Sequence, residues 1–252
     1  MKRLLCCGNV LKMGNISDIL KDFAHRPWEL PQTPWHYYQE WNHVLFFHWA
    51  VDPEILKPLI PAGLELDLFE GKAWISLVPF TMQKIRPKFL PSVPAVSDFH
   101  EINLRTYVSK NGKSGVYFIN IEAEKHLSAF LSRNLSGLPY EKALIKRSEG
   151  KYSSSNIFKK FALDVEFAIK ENVSEKSELE KFLTERYALF LKRKGILYRY
   201  DIHHREWKIK MLKVKKLHLN YKLPGLDLSD KQPDLVHYSD GVEVIAWRKV
   251  RV

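Results

Sequence analysis

The chain has 252 residues, 45% of them hydrophobic, enough for one large domain or two small ones with a proper core. Its net charge of +11 raises nucleic acid or an anionic surface as partners, while its two cysteines, the adjacent Cys6 and Cys7, exclude a disulfide framework and a cysteine-based zinc site. No run approaches the ~18 uninterrupted apolar residues of a membrane span, and "MKRLLCCGNVLKMG" is a poor signal peptide, so a cytoplasmic protein with no membrane partner is expected.

Residues 1–25 read as an N-terminal extension, partly disordered and with a short helix over "ISDILKDFA". Its cysteine pair is a conceivable acylation site, but nothing else in the segment supports anchoring. Residues 26–252 read as a single domain. After the proline-broken entry "HRPWELPQTPW", the stretch "WNHVLFFHWAV" is apolar on both alternating faces, as a strand buried on two sides would be. Asp52 and Pro53 have the character of an N-cap and first helical residue, and Pro61 and Gly63 end that short helix. "GLELDLF" and "KAWISLVPFTMQKI" are two strands about an "EG" turn. "HEINLRTYV" and "GVYFINIEA" form a hairpin, because Asn111 and Gly112 both tolerate positive φ. "HLSAFLSRNLSG" sets Leu127, Phe130, Leu131 and Leu135 on one helical stripe with Gly137 just past its end. Strands follow at about 141–147, 157–169, 186–193, 196–204 and 208–218. "SEKSELEKFLTER" is a helix between two of them, with Ser177 and Glu180 spaced as a capping box. The tail "LVHYSDGVEVIAWRKV" adds an alternation able to close a sheet. With no repeat and no linker, the pattern predicts one α+β domain dominated by antiparallel strands.

In "HEINLRTYV", period-two alternation puts Glu101, Asn103, Arg105 and Tyr107 on one wholly polar face. That face is either open to water or lines a cleft, where the arginine would hold a carboxylate and the glutamate would move a proton. His203 and His204 are adjacent and point to opposite faces of a strand, so no metal site is expected from them. His43 and His48 also face opposite ways, and one of them is a pocket candidate. The glycines are dispersed, without a phosphate-binding loop, so no cofactor is expected. The basic stretch "LKRKGILYRYDIHHREWKIKMLKVKK" (191–216) carries alternating lysines, which suit a strand with one wet face better than a nucleic-acid module, and no such module's signature occurs.

Several motifs in order, "RPWELPQTPW", "FFHWAVDPEILKPLIPAGLELDLFEGKAWISLVPF", "INLRTYV", "GVYFINIEA", "LPY" and "FLTERYALF…LYRYDIHHREW", resemble the YqjF-like family of uncharacterised proteins (domain of unknown function 2071) from about residue 26 to 249. That resemblance implies an acetoacetate decarboxylase-like fold: a barrel-like, largely antiparallel sheet with a few short helices and an enclosed pocket. Compared with acetoacetate decarboxylase itself, Glu101 takes the place of an active-site glutamate, ten residues before Asn111. The Schiff-base lysine's place is Tyr140, the second lysine's is Glu141, the arginine's is about Asn42 and the other glutamate's about Trp74. Lys142, beside Glu141, is expected to be a surface or paired lysine, because an imine-forming amine needs a depressed pKa.

The expectation is therefore a barrel that has kept its pocket and lost the amine chemistry, taking a small carboxylate, carbonyl or aromatic ligand. Trp41, Trp49, Trp74 and Tyr140 are the expected apolar walls, and Asn103, Tyr107, His48 and His203 the further ligand contacts. Glu101 and Arg105 are the catalytic candidates if the protein is an enzyme acting on a carbonyl compound. A basic surface over 191–216 for nucleic acid or anionic lipid is the third reading.

Overall fold

The computed structural model describes residues 16–124 and 140–252. Helix α1 (Ile16–Lys21) precedes the long strand β1 (Tyr37–Val51), and α2 (Pro53–Leu56) leads through a 3-10 turn to β2 (Glu65–Leu66) and β3 (Ala73–Pro87). The short α3 (Pro94–Ser97) is followed by β4 (Phe99–Lys110), β5 (Lys113–Ala123), β6 (Tyr140–Lys142), β7 (Leu144–Ser148), β8 (Lys151–Asn156) and β9 (Phe161–Asn172). Helix α4 (Glu178–Thr184) then precedes β10 (Ala188–Arg193), β11 (Ile196–His204), β12 (Lys210–Asn220), β13 (Lys222–Leu223), β14 (Leu226–Asp227), β15 (Leu235–Ala246) and β16 (Val250–Arg251). The helix expected over "HLSAFLSRNLSG" and the cysteine pair lie outside the described residues. No helix among the described residues is long and apolar enough to cross a membrane.

Strands β11, β10, β5, β4, β3, β1 and β15 are hydrogen-bonded in that order, and β15 pairs again with β11 through Ile202–Ala246 and His204–Val244. The sheet thereby closes on itself as a barrel-like ring, antiparallel except where β5 meets β10. From β15 the sheet continues through β12, β9, β8 and β7, and these strands cover the outer face of β1, β3 and β4. The main apolar core fills that interlayer: Leu45, Phe47, Trp49, Ile75, Leu77, Ile102 and Leu104 meet Ile145, Tyr152, Leu163, Val165 and Leu219. A strand with the core on one side and the ring interior on the other must be apolar or specifically polar on both faces, which is what β1, β3 and β4 show.

Local chemistry accounts for most boundaries. Asp52 accepts from the Glu54 amide at 2.9 Å, Ser177 and Glu180 form the reciprocal capping box, and Asn111 and Gly112 take φ of 52° and 72° in the hairpin turn. Three expectations are corrected. The strand expected over 141–147 is two: β6 pairs in parallel with β5, and β7 turns at Glu149 and Gly150 into β8, whose "SSS" lacks apolar alternation and so gave no strand signal. Residues 157–160 are a turn, and β9 begins only at Phe161. The turn at Glu70 and Gly71 exists, with a bridge between Phe69 and Lys72, but β2 is two residues long and pairs with β4 instead of β3.

Candidate functional site

The ring encloses a cavity of about 80 Å³ to which every ring strand contributes. In β1 the contributors are Gln39, Trp41, Val44 and Phe46. Trp41 and Val44 are three apart, which plain alternation forbids. The reason is a bulge: between the pairings Asn42–Thr81 and Phe47–Leu77, β1 spends one more residue than β3, and His43 has a φ of 54°. The bulge reverses which residues face inward, so Phe46 enters the cavity while Trp49 turns to the outer core and gives its indole N–H to the Lys231 carbonyl. The same device recurs in β3, where Lys84 at a φ of 52° lets both Met82 and Ile85 line the cavity.

On β4 the polar stripe faces inward. Glu101, Asn103 and Arg105, with exposures of 3%, 5% and 8%, line the cavity opposite Phe80, Val78 and Phe118. Tyr107 continues the same face but lies beneath the cavity floor, where its hydroxyl donates to the Leu183 carbonyl at 3.0 Å and touches Ser76 Oγ at 2.7 Å. That floor is the end of α4. Arg105 Nη2 donates to the same Leu183 carbonyl at 3.3 Å, so two β4 side chains pin the last turn of the helix. Just beyond it, Arg186 donates to the Phe182 carbonyl and to Asp67, and its guanidinium lies 4.0 Å from the Phe182 ring centroid. Burial lowers the Arg186 pKa, and Asp67 opposes that shift. Cations are well placed there, because the carbonyl end of a helix carries partial negative charge. Arg105 Nε, Arg186 Nη2 and Asn103 Oδ1 are buried and have no hydrogen-bond partner among the described residues.

The opposite wall comes from β11 and the segment after it. Tyr200, Ile202 and His204 point inward and Trp207 closes the aromatic side, its ring 6.3 Å from that of Trp41. His204 Nδ1 lies 2.7 Å from the Arg205 carbonyl, and burial holds the imidazole below its usual pKa against the pull of Glu185.

Of the residues expected from the sequence, Glu101, Arg105, Asn103 and Trp41 come together here. Five do not. His48 lies outside the lining, its Nδ1 2.6 Å from Ser76 Oγ, and burial pushes its pKa well down. Trp49 belongs to the outer core, Trp74 packs against Tyr107 and Leu183, and Tyr107 is under the floor. His203 faces outward, with Nε2 2.8 Å from the Ile19 carbonyl, because alternation in β11 gives the inward place to His204. The Tyr140 side chain lies outside the described residues. Phe46, Phe80, Thr184, Arg186 and Trp207 were not singled out in the sequence, and His204 was weighed there only as a metal ligand; α4's end and the β1 bulge are long-range effects, whereas the inward place of His204 was recoverable from its parity with Tyr200. Lys142 is exposed, and no lysine lines the cavity among the described residues. In the basic stretch, Lys213, Lys215 and Lys216 are the wet face of β12, and Lys210 and Lys216 pair with Asp240 and Asp164.

A family model described as an uncharacterized conserved protein, DUF2071, matches residues 38–243. The uncharacterized protein YqjF of Bacillus subtilis (strain 168) is 36% identical over 234 residues, covering 89% of this chain and 96% of that protein. Among solved structures, an acetoacetate decarboxylase-like enzyme from Sphingomonas wittichii RW1 matches with a TM-score of 0.59 at 14% identity, over 87% of this chain and 94% of that one. The enduracididine biosynthesis enzyme MppR complexed with pyruvate gives 0.58 at 13% identity, over 90% and 93%. Acetoacetate decarboxylase from Legionella pneumophila gives 0.56 at 17%, over 93% and 94%. At these identities the likeness to solved structures establishes the fold, which is acetoacetate decarboxylase-like.

Proposed function

The chain belongs to the DUF2071 family of uncharacterized conserved proteins, and from that premise we propose that it binds a small organic acid or carbonyl compound inside the strand ring, without forming an imine to a lysine. The observation that carries this reading is the Arg105 guanidinium: buried, in no ion pair among the described residues, with Nε unpartnered in the floor of a largely apolar cavity. A desolvated cation with free donors favours an anionic oxygen, and a carboxylate there would gain charge-assisted hydrogen bonds that water cannot match in a low-dielectric site. Asn103, one place along the same face, orients a second polar atom. Phe46, Phe80, Trp41 and Trp207 suit the apolar remainder of the ligand. The cavity's size favours a ligand of few heavy atoms, since one of ~150 Å³ is filled by benzene. Exposure of Lys142 and the lack of a lysine in the described lining support chemistry other than imine formation.

Titration calorimetry with a panel of short carboxylic acids and their neutral amides tests the reading. Acids bind and amides do not, and Arg105→Gln weakens the best acid at least about tenfold while the fold persists. Equal affinity in wild type and variant, or amides binding as well as acids, contradicts it.

A second reading is favoured by Glu101, a carboxyl with 3% exposure in the same lining as Arg105. In that reading the protein is an enzyme, with Glu101 moving a proton at a carbon next to a carbonyl and Arg105 stabilising the developing enolate. Turnover of a β-keto acid that disappears in Glu101→Gln supports it, and retention of turnover in that variant rules the glutamate out.

A further inference from the structure

The turn between β8 and β9 presents Ile157 and Phe158 to solvent, with exposures of 74% and 87%. It is held firmly. Asn156 is buried, its Oδ1 accepts from the amides of both Phe158 and Lys159 at 3.1 Å, and its Nδ2 donates to Glu141 at 2.9 Å. On the other side of the tip, the Lys160 carbonyl accepts from Asn220 Nδ2 at 2.9 Å. Next to the tip runs β7, where Leu144 pairs with Ser155 and is 61% exposed, with Lys142 and Lys146 beside it on the same outward face. Lys159 is tied to Glu141 at 3.3 Å, while Lys142, Lys146 and Lys160 are in no ion pair among the described residues. An ordered apolar turn thus stands exposed beside lysines, of which Lys142, Lys146 and Lys160 are in no ion pair among the described residues, at a place where an exposed phenylalanine contributes nothing to the core.

We propose that the Ile157–Phe158 tip docks the protein on an anionic lipid surface, with both side chains entering the headgroup boundary and Lys142, Lys146 and Lys160 lying against the lipid charges. Three observations select this occupant. The side chains are apolar, Lys159 and Lys160 follow them in the turn, and Lys142 and Lys146 are exposed on the neighbouring strands, the combination that an interfacial anchor on anionic lipid needs. A single turn offers far less than the ~800 Å² per partner of a stable protein interface, yet an interfacial anchor requires no more than a wedge. A second copy of this chain would bring like charges together. The proposal is independent of what the ring cavity binds.

Co-sedimentation of the full chain with vesicles tests it. At low ionic strength the protein pellets with vesicles of mixed phosphatidylglycerol and phosphatidylcholine and not with phosphatidylcholine alone, and salt near 1 M, where the Debye length is ~3 Å, releases it. The double variant Ile157→Ser/Phe158→Ser lowers the partition coefficient roughly tenfold or more, with an unchanged melting temperature because both residues are exposed. Absence of binding by the wild type at low salt, or equal binding by the variant, overturns the proposal. So does a wild-type dimer in light scattering that the double variant converts to monomer, which would give the tip to a second copy.

Discussion

Asn42 stands opposite Gly241 where β1 and β15 pair, and at that point β1 exchanges the face that it turns toward the cavity. Gly241 has a φ of 141°, and a Cβ there would lie 2.3 Å from Asn42 Oδ1 and 2.5 Å from the Trp41 carbonyl. Both the backbone angle and the space demand glycine. Gly241→Ala is expected to destabilise the protein by about 2–3 kcal/mol, read as a lower melting temperature, and to weaken any ligand that touches Trp41. An unchanged melting temperature would show that the bulge is not held by this contact.

The bulge also marks where the sequence stopped being legible. On β4 plain alternation put Glu101, Asn103 and Arg105 on one face, and the register shift against β5 between Leu104 and Arg105 leaves that stripe intact because the extra residue is in β5. On β1 the same rule failed after His43, so Trp49 was expected as a wall while Phe46 was overlooked; His48 keeps the parity of Phe46 but sits farther along the strand, beside Ser76. Arg186 leaves the chain just after a short helix, with no periodic neighbour to reveal its direction, and reaches the cavity because Tyr107 and Arg105 pin the end of α4. The closure of the ring by β15 was suggested by the tail's alternation, but its double pairing with β1 and β11 needs the whole barrel to exist. The β7–β8 hairpin was hidden because its serines neither alternate nor favour a strand.

The Arg186–Asp67 pair predicts a coupling. Arg186→Gln leaves Asp67 without its cation and is expected to destabilise by about 3 kcal/mol, and adding Asp67→Asn should restore part of that loss. Chemical denaturation of the two single variants and the double one checks this. Strict additivity would mean that the two side chains do not support each other.

Glu122 predicts a pH dependence. Its carboxyl is fully buried on the outer face of β5, where burial pushes its pKa up to about 7 despite hydrogen bonds from Tyr221, Asn156 and Asn120. An unfolded glutamate titrates near 4.3, so the folded chain holds the extra proton between the two values. Stability is therefore full below about pH 4 in this respect, declines as pH rises toward 7 and levels off above it, by a total on the order of 3 kcal/mol. Glu122→Gln, which stays neutral, should lack this decline and exceed the wild type most clearly at pH 8. The same slope in both proteins would remove Glu122 as its source.

The capping box of α4 gives a smaller expectation. Ser177→Ala removes the acceptor for the Glu180 amide and is expected to lower stability by about 1 kcal/mol. Because Glu180 also meets His237 Nε2 at 2.8 Å, the loss should extend to the packing of α4 on β15, read as faster amide exchange in the helix. Unaltered exchange there would confine the effect to the cap.

The most direct test of the account is a crystal structure of the protein with the short carboxylic acid that binds best in calorimetry. The acid is expected inside the strand ring, its carboxylate within hydrogen-bond distance of the Arg105 guanidinium and its apolar part against Phe46 and Phe80. A ligand seated outside the ring, or joined covalently to a lysine, would contradict the account.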